Sequence, residues 1–136
     1  MQNQKSSNEA QPLNGDYWRG IGGDRWVLNM DALERGIETF SAPLLRAAAP
    51  VPGERVLDIG CGGARTTISL AREITPGGQV TGIDISPQIL SLARQRAGGV
   101  ENLEFVLGDV TNTDLGNPYD LLFSRFGVMF FDAPVV

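Results

Sequence analysis

The stretch Arg55–Thr67, with the sequence RVLDIGCGGARTT, decides the fold of this chain. It begins as an apolar strand, reaches an acidic residue at Asp58 and continues through a glycine-rich turn into a helix. Gly60 and Gly62 allow the backbone to turn tightly and to approach a ligand where a side chain would block it. Asp58 adds a fixed negative charge at the end of the strand. The stretch therefore predicts a cradle for a ligand that carries a positive group near the turn.

Strands and helices alternate downstream of this stretch. The predicted strands cover residues 56–59, 79–84, 103–107 and 119–124, and the predicted helices between them begin at residues 66 and 87. Ser86 is placed to cap the second of these helices, with Pro87 at its first position. Strands that alternate with helices pair in parallel, so the pattern predicts an α/β fold with a doubly wound parallel sheet.

The residues upstream form two further segments. Residues 1–14 are polar and rich in Gln, Asn and Ser, and we expect them to be a disordered tail. Residues 15–52 are expected to be an N-terminal aromatic and helical cap segment, irregular over 15–26 and helical afterwards. Residues 53–136 then make up the α/β domain.

The helical part of the cap segment has recognisable start and break signals. Asp31 and Glu34 have capping-box spacing, which places the start of a helix at Asp31. Pro43 is expected to kink or split that helix, and Ser41 is placed to cap its second half.

Composition excludes several classes of function. The 136 residues suffice for one domain with a real core. Acidic residues outnumber basic ones 16 to 11, and the basic residues form no cluster, so we expect no nucleic-acid partner. The chain has no histidine, which excludes histidine bases and histidine metal sites, and we expect no metal. A single cysteine, Cys61, and the lack of a long apolar run or a leader-like stretch predict a cytoplasmic location with no membrane contact.

The glycine turn on its own fits more than one cofactor. In the dinucleotide fingerprint G-x-G-x-x-G, the third glycine would fall at position 65, which is Arg65. A long side chain there obstructs the packing of helix on strand. A NAD-type nucleotide-binding module is therefore disfavoured but stays open as an alternative.

Four segments resemble the motifs of class I S-adenosylmethionine-dependent methyltransferases. Asp58–Ala64, DIGCGGA, is similar to motif I of that family, acidic-x-Gly-x-Gly-x-Gly, with Ala64 in place of the last glycine. Gly82–Ser86 looks like the family's second motif, Phe105–Val110 like its third-strand motif and Tyr119–Gly127 like its fourth-strand motif. The four motifs occur in the family's order over most of the chain.

The resemblance implies S-adenosylmethionine as cofactor and assigns residues to it. Asp84 is expected to accept hydrogen bonds from both ribose hydroxyls, and Asp109 to accept one from the adenine amino group. With Asp58, these carboxylates would lie at the carboxyl ends of successive strands, where open α/β sheets bind ligands. The expected cofactor-binding residues are Asp58, Gly60, Cys61, Gly62, Asp84, Ile85, Asp109, Val110 and Ser124.

Methyl transfer depends on holding the acceptor and the methyl group in line and dry, so the lack of histidine is no obstacle. We therefore assign no catalytic residue. Members that methylate nucleobase or amide nitrogens often carry Asn or Asp followed by Pro-Pro-aromatic after the fourth strand. This chain has Ser124–Gly127, SRFG, at that place, which favours a small-molecule acceptor.

The tryptophans of the cap segment have two possible roles. Trp18 and Trp26 are expected either to pack in the core or in a lid, or to face the sulfonium of the cofactor.

Members of the family have a seven-stranded sheet of order 3-2-1-4-5-7-6, and this sequence reaches only the fourth strand. We therefore expect a Rossmann-like sheet truncated after the fourth strand, of order 3-2-1-4, with N-terminal helices. The fourth strand would be an exposed apolar edge that pairs with a second copy or a complementing partner. A non-catalytic remnant that self-associates through this edge is the second alternative, and turnover by this chain alone is not expected.

Overall fold

The computed structural model describes residues 13–116 and 118–133, and every structural statement below concerns those residues. The predicted disordered tail, residues 1–14, falls outside this part of the chain except for Leu13 and Asn14. The described residues form a four-stranded sheet with α-helices around it.

The strands are β1 (Arg55–Ile59), β2 (Gln79–Asp84), β3 (Leu103–Leu107) and β4 (Leu121–Phe123). The α-helices are α1 (Gly15–Arg19), α2 (Ile21–Leu28), α3 (Met30–Ile37), α4 (Ser41–Ala48), α5 (Arg65–Glu73) and α6 (Pro87–Arg96). Short 3-10 helices cover Glu38–Phe40 and Val128–Phe130. Over the described ranges, no helix has the length and apolar content needed to span a bilayer.

The sheet is parallel throughout and has the order β3-β2-β1-β4, which confirms the predicted order 3-2-1-4. Asp58 of β1 is level with Gly82 of β2 on one side and with Phe123 of β4 on the other. β4 is shorter than the predicted strand at 119–124. Its chain direction changes at Ser124, whose hydroxyl donates to the backbone oxygen of Ile59 at 2.9 Å.

The core lies between the sheet and α5. Val56 and Val80 of neighbouring strands pack against Leu70, Ile74 and Phe123, and all five side chains are buried. Val and Ile fit a pleated strand surface, while Leu70 and Ile74 recur at helical spacing on one face of α5. α4 covers the same cluster through Leu44, Leu45 and Ala48.

The segment 15–26, predicted to be irregular, is helical in α1 and α2, so that prediction was wrong. Asn14 caps α1 by accepting a hydrogen bond from the Tyr17 amide at 3.1 Å. The glycines of α2 allow close packing and do not mark turns: a Cβ at Gly22 would lie 2.2 Å from the Tyr17 ring, and one at Gly23 would lie 2.4 Å from the Ser86 hydroxyl. Small residues at these positions let α2 lie directly on α1 and on the start of α6.

The predicted capping box was also wrong. α3 begins at Met30, with Asn29 at the N-cap and no side-chain cap, and Glu34 is buried in ion pairs. The helical run is interrupted at Glu38–Phe40, before Pro43, which lies in the first turn of α4, where proline is tolerated. Ser41 is the first residue of α4 and not its cap. The predicted cap at Ser86 is confirmed, because its hydroxyl accepts from the Ile89 amide at 3.3 Å.

Leu70→Ala tests the core. We expect it to lower the free energy of unfolding by about 2–5 kcal/mol, because it leaves a cavity between α5 and the sheet. Leu28→Ala is the matched control: that side chain is 83% exposed, and its removal is expected to change stability by less than about 0.5 kcal/mol. Urea denaturation followed by circular dichroism measures both, and similar losses in the two variants would contradict this packing.

Candidate functional site

A cavity of about 630 Å³ opens at the carboxyl ends of β1, β2 and β3. It is lined by the glycine turn after β1, the residues that follow β2 and β3, α1, and residues 125–133 after β4. Its size lies within the range of about 300–1,000 Å³ that is usual for small-molecule sites. The cavity therefore lies where open α/β sheets bind ligands, at the point where the strand order reverses between β1 and β4.

The glycine turn packs closely against β2 and against the loop after β4. Gly60 and Gly62 have φ of 66° and 56°, left-handed values that favour glycine. A Cβ at Gly60 would lie 2.8 Å from the Cα of Gly127, so the turn touches the loop after β4 directly. The amides of Gly60 and Cys61 both donate to the Ile83 oxygen, at 2.9 and 3.1 Å. The turn is thus fixed to β2 and leaves its backbone exposed to the cavity.

Asp84 ends β2 and faces the cavity. Its Oδ2 accepts from the Gly62 amide at 3.0 Å, and its Oδ1 accepts from the Ser86 amide at 3.0 Å. Burial raises the pKa of this carboxyl, and the two hydrogen bonds counteract that rise. Each carboxylate oxygen has a further acceptor site, so Asp84 can hold the turn and still accept hydrogen bonds from a ligand.

Asp109 follows β3, the strand next to β2, and also lines the cavity. Its Oδ1 accepts from the amide and the hydroxyl of Thr111, at 2.9 and 2.6 Å. These hydrogen bonds hold the pKa of Asp109 below its usual value. Ile85 and Val110, which follow the two strand ends, add apolar surface to the same part of the cavity.

Asp58 lies behind the turn and does not line the cavity. Its Oδ2 accepts from the hydroxyls of Thr66 and Thr67, at 3.2 and 2.8 Å, while its Oδ1 is buried without a partner among the described residues. Burial raises the pKa of Asp58 to about 7, and the two threonines oppose the rise. This carboxyl therefore ties the start of α5 to β1.

Cys61 and Ser124 also lie behind the surface of the main cavity. Cys61 is buried against Ala64, Leu90 and Ala93, and burial raises the pKa of its thiol well above the usual value. Ser124 holds the loop after β4 through its bond to Ile59. The structure thus brings six of the nine predicted site residues to the cavity wall: Gly60, Gly62, Asp84, Ile85, Asp109 and Val110.

Aromatic residues cover the other side of the cavity. Trp18 lies at their centre, with ring centroids 5.2 Å from Tyr17, 5.6 Å from Trp26 and 4.9 Å from Phe130, all edge-to-face. Trp18, Trp26 and Phe130 line the cavity. These rings therefore both pack on one another and form a wall, whereas the sequence left packing and ligand contact as alternatives.

Sequence reasoning missed the ionic contacts around the glycine turn. Glu34 of α3 is paired with Arg65 and Arg96, and no pattern in the sequence brings these three together. Arg125 lines the cavity, donates to the Ser41 hydroxyl and lies 3.8 Å from Glu38. Burial lowers the pKa of the Arg125 guanidinium. In the described part of the chain, no group of three or more Cys, Asp or Glu side chains is arranged to hold a metal ion.

Comparison with known proteins identifies the class. A family profile described as a methyltransferase domain matches residues 50–134, and the chain belongs to this family. The demethylmenaquinone methyltransferase of Staphylococcus epidermidis is 36% identical over 77 residues, which cover 56% of this chain and 32% of that protein. The chain therefore spans about a third of the length of this relative and a smaller share of some others.

Solved structures agree with the fold. A protein-L-isoaspartate O-methyltransferase superposes with a TM-score of 0.59 at 28% identity, covering 64% of this chain and 28% of that one. An S-adenosylmethionine-dependent methyltransferase from Aquifex aeolicus superposes with a TM-score of 0.63 at 23% identity, covering 69% of this chain and 52% of that one. The four strands are thus arranged as in Rossmann-like methyltransferases.

Asp58→Asn tests the buried carboxyl. Its pKa of about 7 in the folded chain exceeds the usual 3.8, so between these values the folded chain holds a proton that the unfolded chain has lost. Stability should therefore fall as pH rises through this window, by at most about 1.4 kcal/mol per pH unit. The asparagine amide does not ionise. We therefore expect the free energy of unfolding of Asp58→Asn, relative to that of the parent chain, to increase from pH 4.5 to pH 7.

Urea denaturation at several pH values measures this difference. Asp114→Asn, which changes an exposed carboxylate outside the cavity, is the control and should follow the parent chain. Parallel stability curves for Asp58→Asn and the parent chain would contradict the raised pKa.

Proposed function

We propose that this chain binds S-adenosylmethionine and is the cofactor-binding part of a methyltransferase that acts on a small molecule. The observation that carries the proposal is that one cavity brings together the glycine turn, Asp84 and Asp109. These elements come from three separate stretches of sequence. A ligand that fills the cavity would contact all three at once.

The residues present fit this cofactor. Asp84 and Asp109 offer carboxylate oxygens suited to the hydroxyls and the amino group of an adenosine, and Ile85 and Val110 offer apolar surface for its rings. The exposed backbone of the glycine turn suits the amino-acid part. The acidic residues near the turn also favour a ligand that carries an ammonium and a sulfonium group.

The cofactor, when bound, supplies an electrophilic methyl group. The chain's own residues then have to bind the cofactor, orient it towards the acceptor and exclude water. A methyl transfer is accelerated most by aligning the two reactants in a site without water. Trp18 and Phe130 line the cavity and contact each other edge-to-face, so they give it apolar surface that opposes the entry of water. No side chain is assigned to proton transfer.

A small-molecule acceptor is the finer part of the proposal. The loop after β4 has SRFG where members that methylate nucleobase or amide nitrogens often carry Asn or Asp followed by Pro-Pro-aromatic. The similarity to a demethylmenaquinone methyltransferase supports a small acceptor, whereas the similarity to a protein-L-isoaspartate O-methyltransferase does not. Arg125, at the cavity wall, is placed to orient an acceptor that carries a carboxylate. A cytoplasmic location is also part of the proposal, because the chain has a single cysteine, Cys61, and therefore no intrachain disulfide.

Asp84→Ala tests the proposal. We expect calorimetric titration to show binding of S-adenosylmethionine and S-adenosylhomocysteine to the parent chain. In Asp84→Ala the affinity should fall about ten- to hundredfold, because the ligand loses hydrogen bonds to the carboxylate and the amide of Gly62 in the turn loses its acceptor. Asp114→Ala, an exposed aspartate outside the cavity, is the matched control and should bind like the parent chain.

Two outcomes would replace the proposal. Binding of NAD with no binding of S-adenosylhomocysteine would favour the dinucleotide alternative. A folded parent chain that binds neither would favour the non-catalytic remnant.

We further propose that the free edge of β4 pairs with a second copy of this chain. Within the described residues, β4 is bonded only to β1. Leu122 of β4 is 64% exposed, and Met129 in the 3-10 helix that follows is 62% exposed, so apolar side chains are exposed on and after this strand. An unpaired strand with apolar side chains favours association.

Leu122→Lys tests the edge. We expect the parent chain to elute as a concentration-dependent dimer in size-exclusion chromatography and the lysine variant as a monomer, because the charge opposes pairing of the two edges. Leu28→Lys, on the exposed face of α2, is the control and should leave the dimer intact. A parent chain that stays monomeric up to high concentration would refute this association.

A further inference from the structure

The strongest unassigned feature of the molecule is the carboxylate of Glu34. The side chain is only 2% exposed, and both oxygens are paired. Oε1 accepts from Arg96 Nη1 at 2.7 Å, and Oε2 accepts from Arg65 Nε at 3.2 Å. Arg96 ends α6 and Arg65 begins α5, so one buried carboxylate joins three helices. Glu34, Arg65 and Arg96 are called the Glu34 cluster below.

The cluster rests directly on the glycine turn. Arg96 Nη1, which is paired with Glu34, also donates to the backbone oxygen of Gly63 at 3.3 Å. A Cβ at Gly63 would lie 2.6 Å from that nitrogen and 2.9 Å from Glu34 Oε1. The ion pair therefore occupies the space that a side chain at Gly63 would fill.

The turn needs support of this kind. Ala64, which follows Gly63, has φ of 69°, a left-handed value that is unfavourable for any residue other than glycine. On the cavity side, Asp84 holds the amide of Gly62. The Glu34 cluster holds the oxygen of Gly63. Two carboxylates therefore fix the turn: Asp84, which lines the cavity, and Glu34, which does not.

We propose that Glu34 is a positioning residue: acting through Arg96 and Gly63, it holds the glycine turn in the conformation that binds the amino-acid end of the cofactor. The inference rests on the proposed function. Because α3 carries Glu34, the inference also predicts that the packing of α3 against the turn and the binding of a ligand at the amino-acid end of the cavity strengthen each other. Arg65 and Arg96 supply the charges that keep the carboxylate buried.

Glu34→Gln tests the inference with two probes. S-adenosylhomocysteine carries the amino-acid part, and 5′-methylthioadenosine has the same nucleoside and thioether without it. We expect calorimetry to show that the variant loses affinity for S-adenosylhomocysteine about ten- to hundredfold, because the turn is misplaced. Affinity for 5′-methylthioadenosine should change by less than about twofold.

Asp31→Asn is the matched control. Asp31 lies on the same helix and pairs with the same arginine at 3.4 Å, but it is 82% exposed and does not touch Gly63. The Asp31→Asn variant should bind both probes with the affinity of the parent chain. If Glu34→Gln binds both probes like the parent chain, or loses affinity for both by the same factor, the inference is overturned.

Hydrogen–deuterium exchange gives a readout that needs no ligand. We expect the amides of residues 60–64 to exchange faster in Glu34→Gln than in Asp31→Asn, while those of β3 exchange at the parent rate. If the parent chain binds neither probe, the proposed function fails and this exchange alone decides the inference. Unchanged exchange at residues 60–64 would overturn it.

Arg96→Lys serves where Glu34→Gln does not fold. A lysine ammonium keeps the charge opposite Glu34 but cannot present the guanidinium fork that bonds Glu34 and Gly63 together. The same selective loss of S-adenosylhomocysteine is expected, and equal loss of both probes would again overturn the inference.

Discussion

The whole arrangement depends on one constraint: the chain has to pass from β1 to α5 through a turn with left-handed residues at Gly60, Gly62 and Ala64. Such a turn places backbone amides and carbonyls at the surface of the cavity. It cannot be held by a regular ladder of hydrogen bonds. Side chains therefore supplement the backbone bonds from Gly60 and Cys61 to Ile83, and Asp84, which lines the cavity, accepts from the amide of Gly62.

The three aspartates at the strand ends divide this work. Asp58 is buried behind the turn and bonded to two threonine hydroxyls, so it fixes the start of α5. Asp84 bonds the turn and also lines the cavity. Asp109, after the neighbouring strand, lines the cavity as well, and its carboxylate is bonded to Thr111 of its own loop. Their environments differ accordingly: burial raises the pKa of Asp58 and Asp84, and local hydrogen bonds lower that of Asp109. Position at a strand end alone does not make a carboxylate a ligand contact.

Local patterns in the sequence were sufficient to predict a parallel α/β sheet. The order 3-2-1-4 was implied by the resemblance to the methyltransferase family and is confirmed. The same resemblance assigned Asp84 and Asp109 to one site, and the structure places both in the wall of one cavity. Local patterns were insufficient for the cap segment. Gly22 and Gly23 suggested an irregular chain, but their lack of side chains serves close packing on Tyr17 and Ser86. Contacts between residues distant in sequence leave no local signal.

Glu34 is an instance of that last point with a functional consequence. In the sequence, Glu34 has the spacing from Asp31 that is typical of a capping box. In the fold, it is a buried counterion to Arg65, which lies 31 positions later in the chain. A buried ion pair is a weak source of stability, because desolvation offsets most of the attraction, but breaking one member is costly. Such a pair therefore contributes more to selecting one arrangement of the helices than to the stability of that arrangement. Here the arrangement it specifies is α3 docked against the glycine turn, which makes the N-terminal helices part of the site and not merely its cover.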